Sequence, residues 1–348
     1  MNHKINILQF STTLFMIIFA PFLGIGLYNV LKISKIDTPI SIIIAYMLSF
    51  IFIIIFIKIM NYKQSLDLKE KIKLLFKKPI IVITILSISF FLMACSLFYN
   101  INSFIISQFL SETPLIYIAI LMGILISYIS SKNIEIITRI STILFFLSII
   151  LIFTAMIGNY GKIDISNLLP ILNNGIKNPI SGALYHLSIN TIYIFILLII
   201  PKSSIQNTKI NKWIILTTTF SFVLALIIAI YTIIILGIDL TLLYHYPAYI
   251  IMKELSIFGF IDKIENFIII HWIFEIFINL SMVTHFIYKM TNIKPYLIIT
   301  ICIITTLFIK NSTVFNYIVT NFIPFISLVI LITMLIILCK IKKVETTL

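Results

Sequence analysis

The sequence predicts an all-α polytopic membrane protein whose ten transmembrane helices fall into two inverted halves of five, with the first and sixth helices interrupted. Three observations carry this expectation. Hydrophobic residues make up 61% of the 348 and charged residues 11%, with a mean hydropathy of +1.16, too few charges to cover a water-soluble domain of this length. Apolar runs of about 20 residues, the length that crosses a bilayer, recur from end to end. The first and the sixth of these runs carry helix-breaking or polar residues, and they stand five segments apart.

The ten segments are roughly Ile5–Val30, Pro39–Ile59, Ile80–Ile106, Leu115–Ser131, Ile136–Ile157, Ile180–Ile200, Trp213–Leu236, Ile264–Tyr288, Tyr296–Ile309 and Tyr317–Cys339. The first is too long for the apolar core of a secretory signal and has no cleavage site of small residues, so it is expected to remain as a helix. The chain then reads as one membrane domain over 1–348, its first repeat about 5–157 and its second about 180–340. Of the 25 Lys and Arg residues, eighteen lie on one side of this arrangement, seven of them from Lys58 at the end of segment 2 to Lys78 before segment 3. Cytoplasmic connections carry the cationic excess, which places both termini in the cytoplasm and makes the +13 charge a topology signal rather than a nucleic-acid footprint.

Segment 1 contains Ala20-Pro21-Phe22-Leu23-Gly24-Ile25-Gly26. Proline removes a backbone donor and clashes with the preceding turn. Freed N–H and C=O groups cost several kcal/mol in hydrocarbon, so irregular backbone survives only inside protein or beside a polar cavity. Segment 1 is therefore expected to be a broken helix facing inward, Gly24 and Gly26 offering backbone groups to a ligand; a simple kink is the competing reading. Segment 6 opens with Pro179 and Gly182 and carries Tyr185, His186, Ser188, Asn190 and Thr191. An odd number of segments per half inverts the second half, so paired breaks in segments 1 and 6 point to the LeuT-like inverted-repeat transporter fold with its site at the repeat interface.

Between segments 2 and 3, Asp67 and Glu70 form a capping signature ahead of Lys71, Ile72, Lys73, Leu74 and Leu75, which predicts a short amphipathic helix on the cytoplasmic face, its lysines drawn to anionic lipid. Segment 3 carries a polar patch of Asn100, Asn102, Ser103 and Gln108, with Tyr99 beside it. Glu135 and Arg139, four apart, are expected to pair. The connections over Gly158–Asn178 and Gly237–Asp262 are semi-apolar and read as lids folded over the bundle, the second with a short helix to Leu255.

Segment 8 holds Glu275 near its centre, where an acid costs roughly 2.5–3.5 kcal/mol to insert. His271, Glu275 and Asn279 recur every four residues and share one helix face. A hydrogen-bonded structural stripe, a proton or cation relay, and a contact to a ligand's amine all fit this pattern. A metal site would need a third ligand that the sequence does not place nearby, and no cofactor is implied. Cys95, Cys302 and Cys339 are unclustered and read as small core hydrophobes. No nucleophile–base–acid set has a recognisable spacing, and no glycine loop for phosphate is present, which speaks against an enzyme and against ATP-driven transport by this chain.

Several stretches taken in order resemble the B subunit of bacterial spore germinant receptors, the spore germination permease family. They are Glu112-Thr113-Pro114, Asp164-Ile165-Ser166-Asn167-Leu168-Leu169-Pro170 with Gly175 behind it, Tyr246-Pro247, and Phe260-Ile261-Asp262-Lys263-Ile264-Glu265 followed by Trp272. The resemblance covers essentially the whole chain. It implies a ten-helix fold of the amino acid–polyamine–organocation superfamily with ligand held between segments 1, 3, 6 and 8. It further implies a receptor in the spore inner membrane that recognises a small germinant, typically an amino acid, and works with an A subunit and a lipoprotein C subunit. Departures from the family pattern gather at the presumed pocket: Thr142 and Phe146 stand where an acid and a proline are usual, Asn190-Thr191 where a glycine–acid pair is common, and Asn279 where a lysine is frequent. Lys263 provides the basic residue of an Arg-x-Glu pattern.

Three functions follow from this reading: a germinant-binding receptor subunit, a secondary amino-acid transporter coupled to protons or sodium, and a passive scaffold for the A and C subunits. For the first two the expected site is Gly24 and Gly26 for the ligand's charged group, His186 and Asn190 in segment 6, Glu275 for the amine or a proton, and Tyr99 and Asn100 in segment 3.

Overall fold

The computed structural model describes residues 4–158, 163–173, 175–206, 209–253, 265–309 and 312–346. Leu255 and the Phe260–Ile264 stretch, both used above, lie outside the described residues. Every predicted segment corresponds to a helix. Segment 1 becomes α1 (Ile7–Pro21) and α2 (Leu27–Ser34), joined by a π-helical turn over Phe22–Gly26. Then come α3 (Thr38–Asn61), a short α4 (Leu68–Leu75), α5 (Pro79–Gln108), α6 (Leu115–Ser130) and α7 (Ile134–Gly158). Segment 6 is α8 (Lys177–Ile189) followed by nine residues of 3-10 helix, Thr191–Ile199. The remainder is α9 (Ile210–Leu243), a short α10 (Pro247–Lys253), α11 (Glu265–Thr291), α12 (Pro295–Phe308) and α13 (Ser312–Thr346).

Eight helical stretches among the described residues are long and apolar enough to cross a membrane. At 16 and 14 residues, α6 and α12 measure about 24 and 21 Å, short of a ~30 Å hydrocarbon core. Burial sorts the spans into a centre and a shell. Ile7–Gly24 is 83% buried, Lys177–Ile199 89% and Ile270–Thr291 78%, against 28% for Ile134–Thr154 and 33% for Val314–Thr346. The segments richest in breaks and polar groups therefore form the middle of the bundle, as expected where irregular backbone must be shielded from lipid. Against α1 pack α7, α9 and α11, while α3 and α13 hold α8 from the other side.

Two differences from the sequence-based segments have local causes. Helix α9 continues past Leu236 because Gly237, at φ 70°, bends the helix instead of ending it. The Ile234 carbonyl at this bend accepts the Asp164 N–H (3.0 Å) and the Asn167 side-chain amide (3.2 Å). These bonds also tie down the connection before α8, which is secured again by the Leu172 N–H donating to Asp37 (2.7 Å). Its apolar side chains Ile165, Leu169 and Ile171 remain exposed, so it is an anchored strap rather than a lid. The described part of the later connection, up to Lys253, does fold down, with Ala248, Tyr249 and Ile251 buried.

The capping box of Asp67 and Glu70 forms as predicted, and the Glu135–Arg139 pair is made. The lysines of α4 behave differently. Lys71 turns inward and donates to the carbonyls of Ile59 and Met60 at the end of α3, and Lys69 donates to the Lys289 carbonyl and to Asn292 at the end of α11. A cation at a helix C-terminus meets the negative end of the macrodipole, so these two lysines serve helix ends, while Lys73 in α4 and Lys77 and Lys78 after it remain exposed.

Candidate functional site

The site is built around the π turn of segment 1. In a regular helix the Ile17 carbonyl would accept the N–H of residue 21, but residue 21 is proline and has none. Asn279 of α11 supplies the missing donor, its amide reaching the Ile17 carbonyl at 2.6 Å. Three residues on, the backbone departs from helix at Gly24 (φ −80°, ψ −128°), and the Ala20 carbonyl, four residues before it, accepts the Trp272 indole N–H at 3.0 Å. One face of α11 thus donates to two carbonyls at the break.

Both glycines of the turn are required by close approach. A methyl group on Gly24 would meet the Trp272 ring at 2.4 Å and the Asn100 amide at 2.9 Å; one on Gly26 would meet the Pro21 carbonyl oxygen at 2.4 Å and Ile189 at 2.8 Å. Gly24 accordingly joins α5 to α11, and Gly26 abuts the end of α8 at the second break. That second break falls at Asn190 (φ −111°, ψ −63°), where α-helix gives way to 3-10 helix. A 3-10 run of nine residues is unusually long and marks a strained or hinging stretch. The α2 and α8 halves of the two broken segments pair directly: Asn29 donates to the Tyr185 hydroxyl at 2.7 Å, and Gly182 is so close to Ser34 that a methyl group would clash with the hydroxyl.

Over the turn lies an aromatic cover. The Phe104 ring meets Trp272 edge-on at 4.3 Å between centroids, Tyr246 at 4.9 Å and Tyr249 at 5.6 Å. The Tyr246 hydroxyl donates to Asn100 at 3.2 Å, linking the cover to the residue against Gly24. Tyr246 lies outside the membrane-spanning helices, and burial pushes its phenol pKa upward, so it stays a neutral donor. Beneath this cover is a cavity of about 20 Å³ walled by Leu23, Phe104, Tyr246, Tyr249, His271 and Trp272, and a second of about 20 Å³ lies between Pro21, Asn100, Ile189 and Tyr193. Each has room for about one water. At the turn itself the hollow expected between segments 1 and 6 is thus reduced to small gaps, while a larger and mostly apolar cavity of about 550 Å³ opens beside the second break, lined by Ile33, Phe52, Leu184, Tyr185, Ser188 and Ser327.

The remaining site residues divide between the break and its surroundings. Glu275 is fully buried one turn from Trp272, and neither carboxyl oxygen has a hydrogen-bond partner among the described residues. Both side-chain groups of Asn190 and the Thr191 hydroxyl are likewise buried without partners. His186 packs at a tilt between Phe22 (5.4 Å) and Phe222 (5.1 Å), its ring nitrogens without partners among the described residues. Tyr99 turns away from the turn and packs its ring on Phe315 of α13 at 4.1 Å. The structure therefore brings Gly24, Asn100 and Trp272 into contact and sets Gly26 beside the break at Asn190. Trp272, Tyr246 and Phe104 were not among the expected site residues; as aromatics they resemble ordinary core or interfacial side chains until the fold gathers them.

A family model described as spore germination protein matches residues 7–293, which takes in segments 1 through 8 and both breaks. No match is found among curated proteins. With eight helices able to span a bilayer and a match over most of its length, the chain is a membrane protein that belongs to the spore germination permease family.

Proposed function

We propose that this chain is the membrane subunit of a nutrient germinant receptor, and that a small germinant, an amino acid, binds between the opposed breaks at Gly24 and Asn190. The observation that carries the reading is the set of buried, unpartnered polar groups about those breaks: the Asn190 side chain, the Thr191 hydroxyl and the Glu275 carboxyl. Leaving such groups unpaired costs about 1–3 kcal/mol each, which a ligand carrying both an amine and a carboxylate would recover. Glu275 takes the amine or a proton; Asn190, Thr191, His186 and the backbone about Gly24 and Gly26 take the carboxylate. Tyr99 has the weakest claim, since its ring lies on Phe315.

The gaps at the turn, of about 20 Å³ each, are too small for any amino acid, so binding at the turn requires the Tyr246–Phe104–Trp272 cover to lift and the break to widen. A ligand that binds only the open form shifts the equilibrium towards it. Partner subunits, a soluble-domain A subunit and a lipoprotein C subunit, would read that shift in the spore inner membrane.

The reading includes a ten-helix, five-plus-five inverted repeat with both termini cytoplasmic, in which α6 and α12 cross despite their length. Contacts at one end of the bundle support it. Ile5–Asn6 pairs with Ile205–Gln206, Ser203 bonds to Gln64, Lys69 reaches Lys289 and Asn292, and His285 contacts the Ser130 carbonyl. The chain thus returns to its N-terminal end after segments 2, 4, 6 and 8.

A secondary transporter using the same site is the second reading, favoured by Glu275, because unpaired acids at membrane depth commonly relay protons. Purified protein in vesicles, offered a panel of labelled amino acids, separates the two. The receptor reading expects saturable binding of one or a few amino acids, lost in Glu275→Gln, without accumulation inside the vesicles. Concentrative uptake would establish the transporter instead, and absence of binding by every amino acid would leave the scaffold role.

A further inference from the structure

Cys95 and Cys302 are 207 residues apart in sequence, yet their sulfur atoms lie 3.6 Å apart across the interface of α5 and α12. Cys302 is fully buried and Cys95 half-buried, whereas Cys339 is exposed near the end of α13. Two thiols side by side are the reduced form of a bond whose sulfur–sulfur length is about 2.05 Å, so closure needs an approach of about 1.5 Å between two packed helices. That approach can come from rotation about the Cα–Cβ bonds of the two cysteines together with a small shift of the helices. Helix α12 rests on α6 at Gly123 through the side-chain ends of Ile299 and Ile303, which can shift by rotation without disturbing a backbone hydrogen bond.

We infer that Cys95 and Cys302 form a redox-sensitive pair that closes to a disulfide and ties α5 to α12. The pair lies within membrane-spanning α5, so the oxidant must be lipid-soluble and accept two electrons, as quinones do. Both thiols lose their hydrogen, one sulfur–sulfur bond forms, and the quinone takes up two electrons and two protons to become the hydroquinone. Plain packing of two small apolar side chains is the alternative.

Tyr99 and Asn100 follow Cys95 by about one helical turn, so the bond would fix the α5 wall of the candidate pocket. That consequence rests on the function proposed above; the bond itself does not.

The test uses the full chain in vesicles, treated with the permeant oxidant diamide. Here the two thiols become a disulfide as the diazene N=N bond is reduced to the hydrazine. Free thiols are then counted by maleimide–polyethylene glycol labelling in SDS. The wild type should fall from three labelled thiols to one, return to three with dithiothreitol, and run as a monomer without reductant. Cys339→Ser should fall from two to none. Cys302→Ser should keep both of its remaining thiols. Three thiols surviving in the oxidised wild type, or a loss that appears only as a covalent dimer through Cys339, would overturn the pair. If the bond forms but the oxidised protein still binds its amino acid with unchanged affinity, the pair stands and its link to the pocket fails.

Discussion

Ile17 and Ala20 show how single side chains make a broken helix tolerable in hydrocarbon. The Ile17 carbonyl loses its helical partner at Pro21 and takes one from Asn279, and the Ala20 carbonyl, beside the kink at Gly24, accepts from Trp272. Interhelical hydrogen bonds in membranes are worth about 0.6 kcal/mol on average and up to about 1.7. Asn279→Leu, which leaves the Ile17 carbonyl without its side-chain donor, should therefore destabilise by about 1 kcal/mol and lower the melting temperature in detergent; an unchanged melting point would show that the bond contributes nothing. Gly24→Ala tests the close approach. The added methyl falls 2.4 Å from a Trp272 ring that is held by Ala20 and by Phe104, so the ring cannot retreat without breaking its hydrogen bond. Overpacking of this kind costs about 1–3 kcal/mol, and loss of amino-acid binding with a lowered melting temperature is expected. Pro21, Gly24 and Glu275 could be picked out in the sequence because each is costly where it stands. Trp272 could not, since an indole in a membrane helix has many ordinary uses until its neighbours are known.

At the scale of elements, α4 joins the ends of two helices. Its Lys71 is buried against the end of α3, and that burial lowers its pKa from 10.5 to about 8. The unfolded chain then binds more protons than the folded one between about pH 8 and 10.5, so stability contributed by this residue rises as pH climbs through that window and is constant below it. The melting-temperature difference between wild type and Lys71→Met should grow in favour of wild type from pH 8 to 10.5; a difference independent of pH would refute the assignment. The amphipathic pattern and capping box of α4 were legible because they are local. Which lysines face protein rather than lipid was not, because Lys69 depends on the end of α11, some 220 residues later.

For the whole molecule, burial arranges the helices so that the least regular ones lie innermost. The family match leaves α12 and α13 outside its span, and α6 and α12 are short, so crossing by these helices calls for direct measurement. In a Cys339→Ser background, Glu112→Cys and Ser131→Cys should react with a membrane-impermeant maleimide from opposite faces of the bilayer. Reaction of both from the same face would remove the α6 crossing, and with it the five-plus-five arrangement.

The sequence by itself determined that the chain is an α-helical membrane protein, where its apolar segments lie, and that segments 1 and 6 are interrupted, because hydropathy, segment length and proline or glycine chemistry act locally. Only the tertiary structure decided that Asn279 and Trp272 complete the first break, that Tyr246 and Phe104 cover it, that the space at the turn is nearly closed, and that Cys95 meets Cys302. Those outcomes join residues far apart in the chain, and their partners are chosen by how whole helices pack.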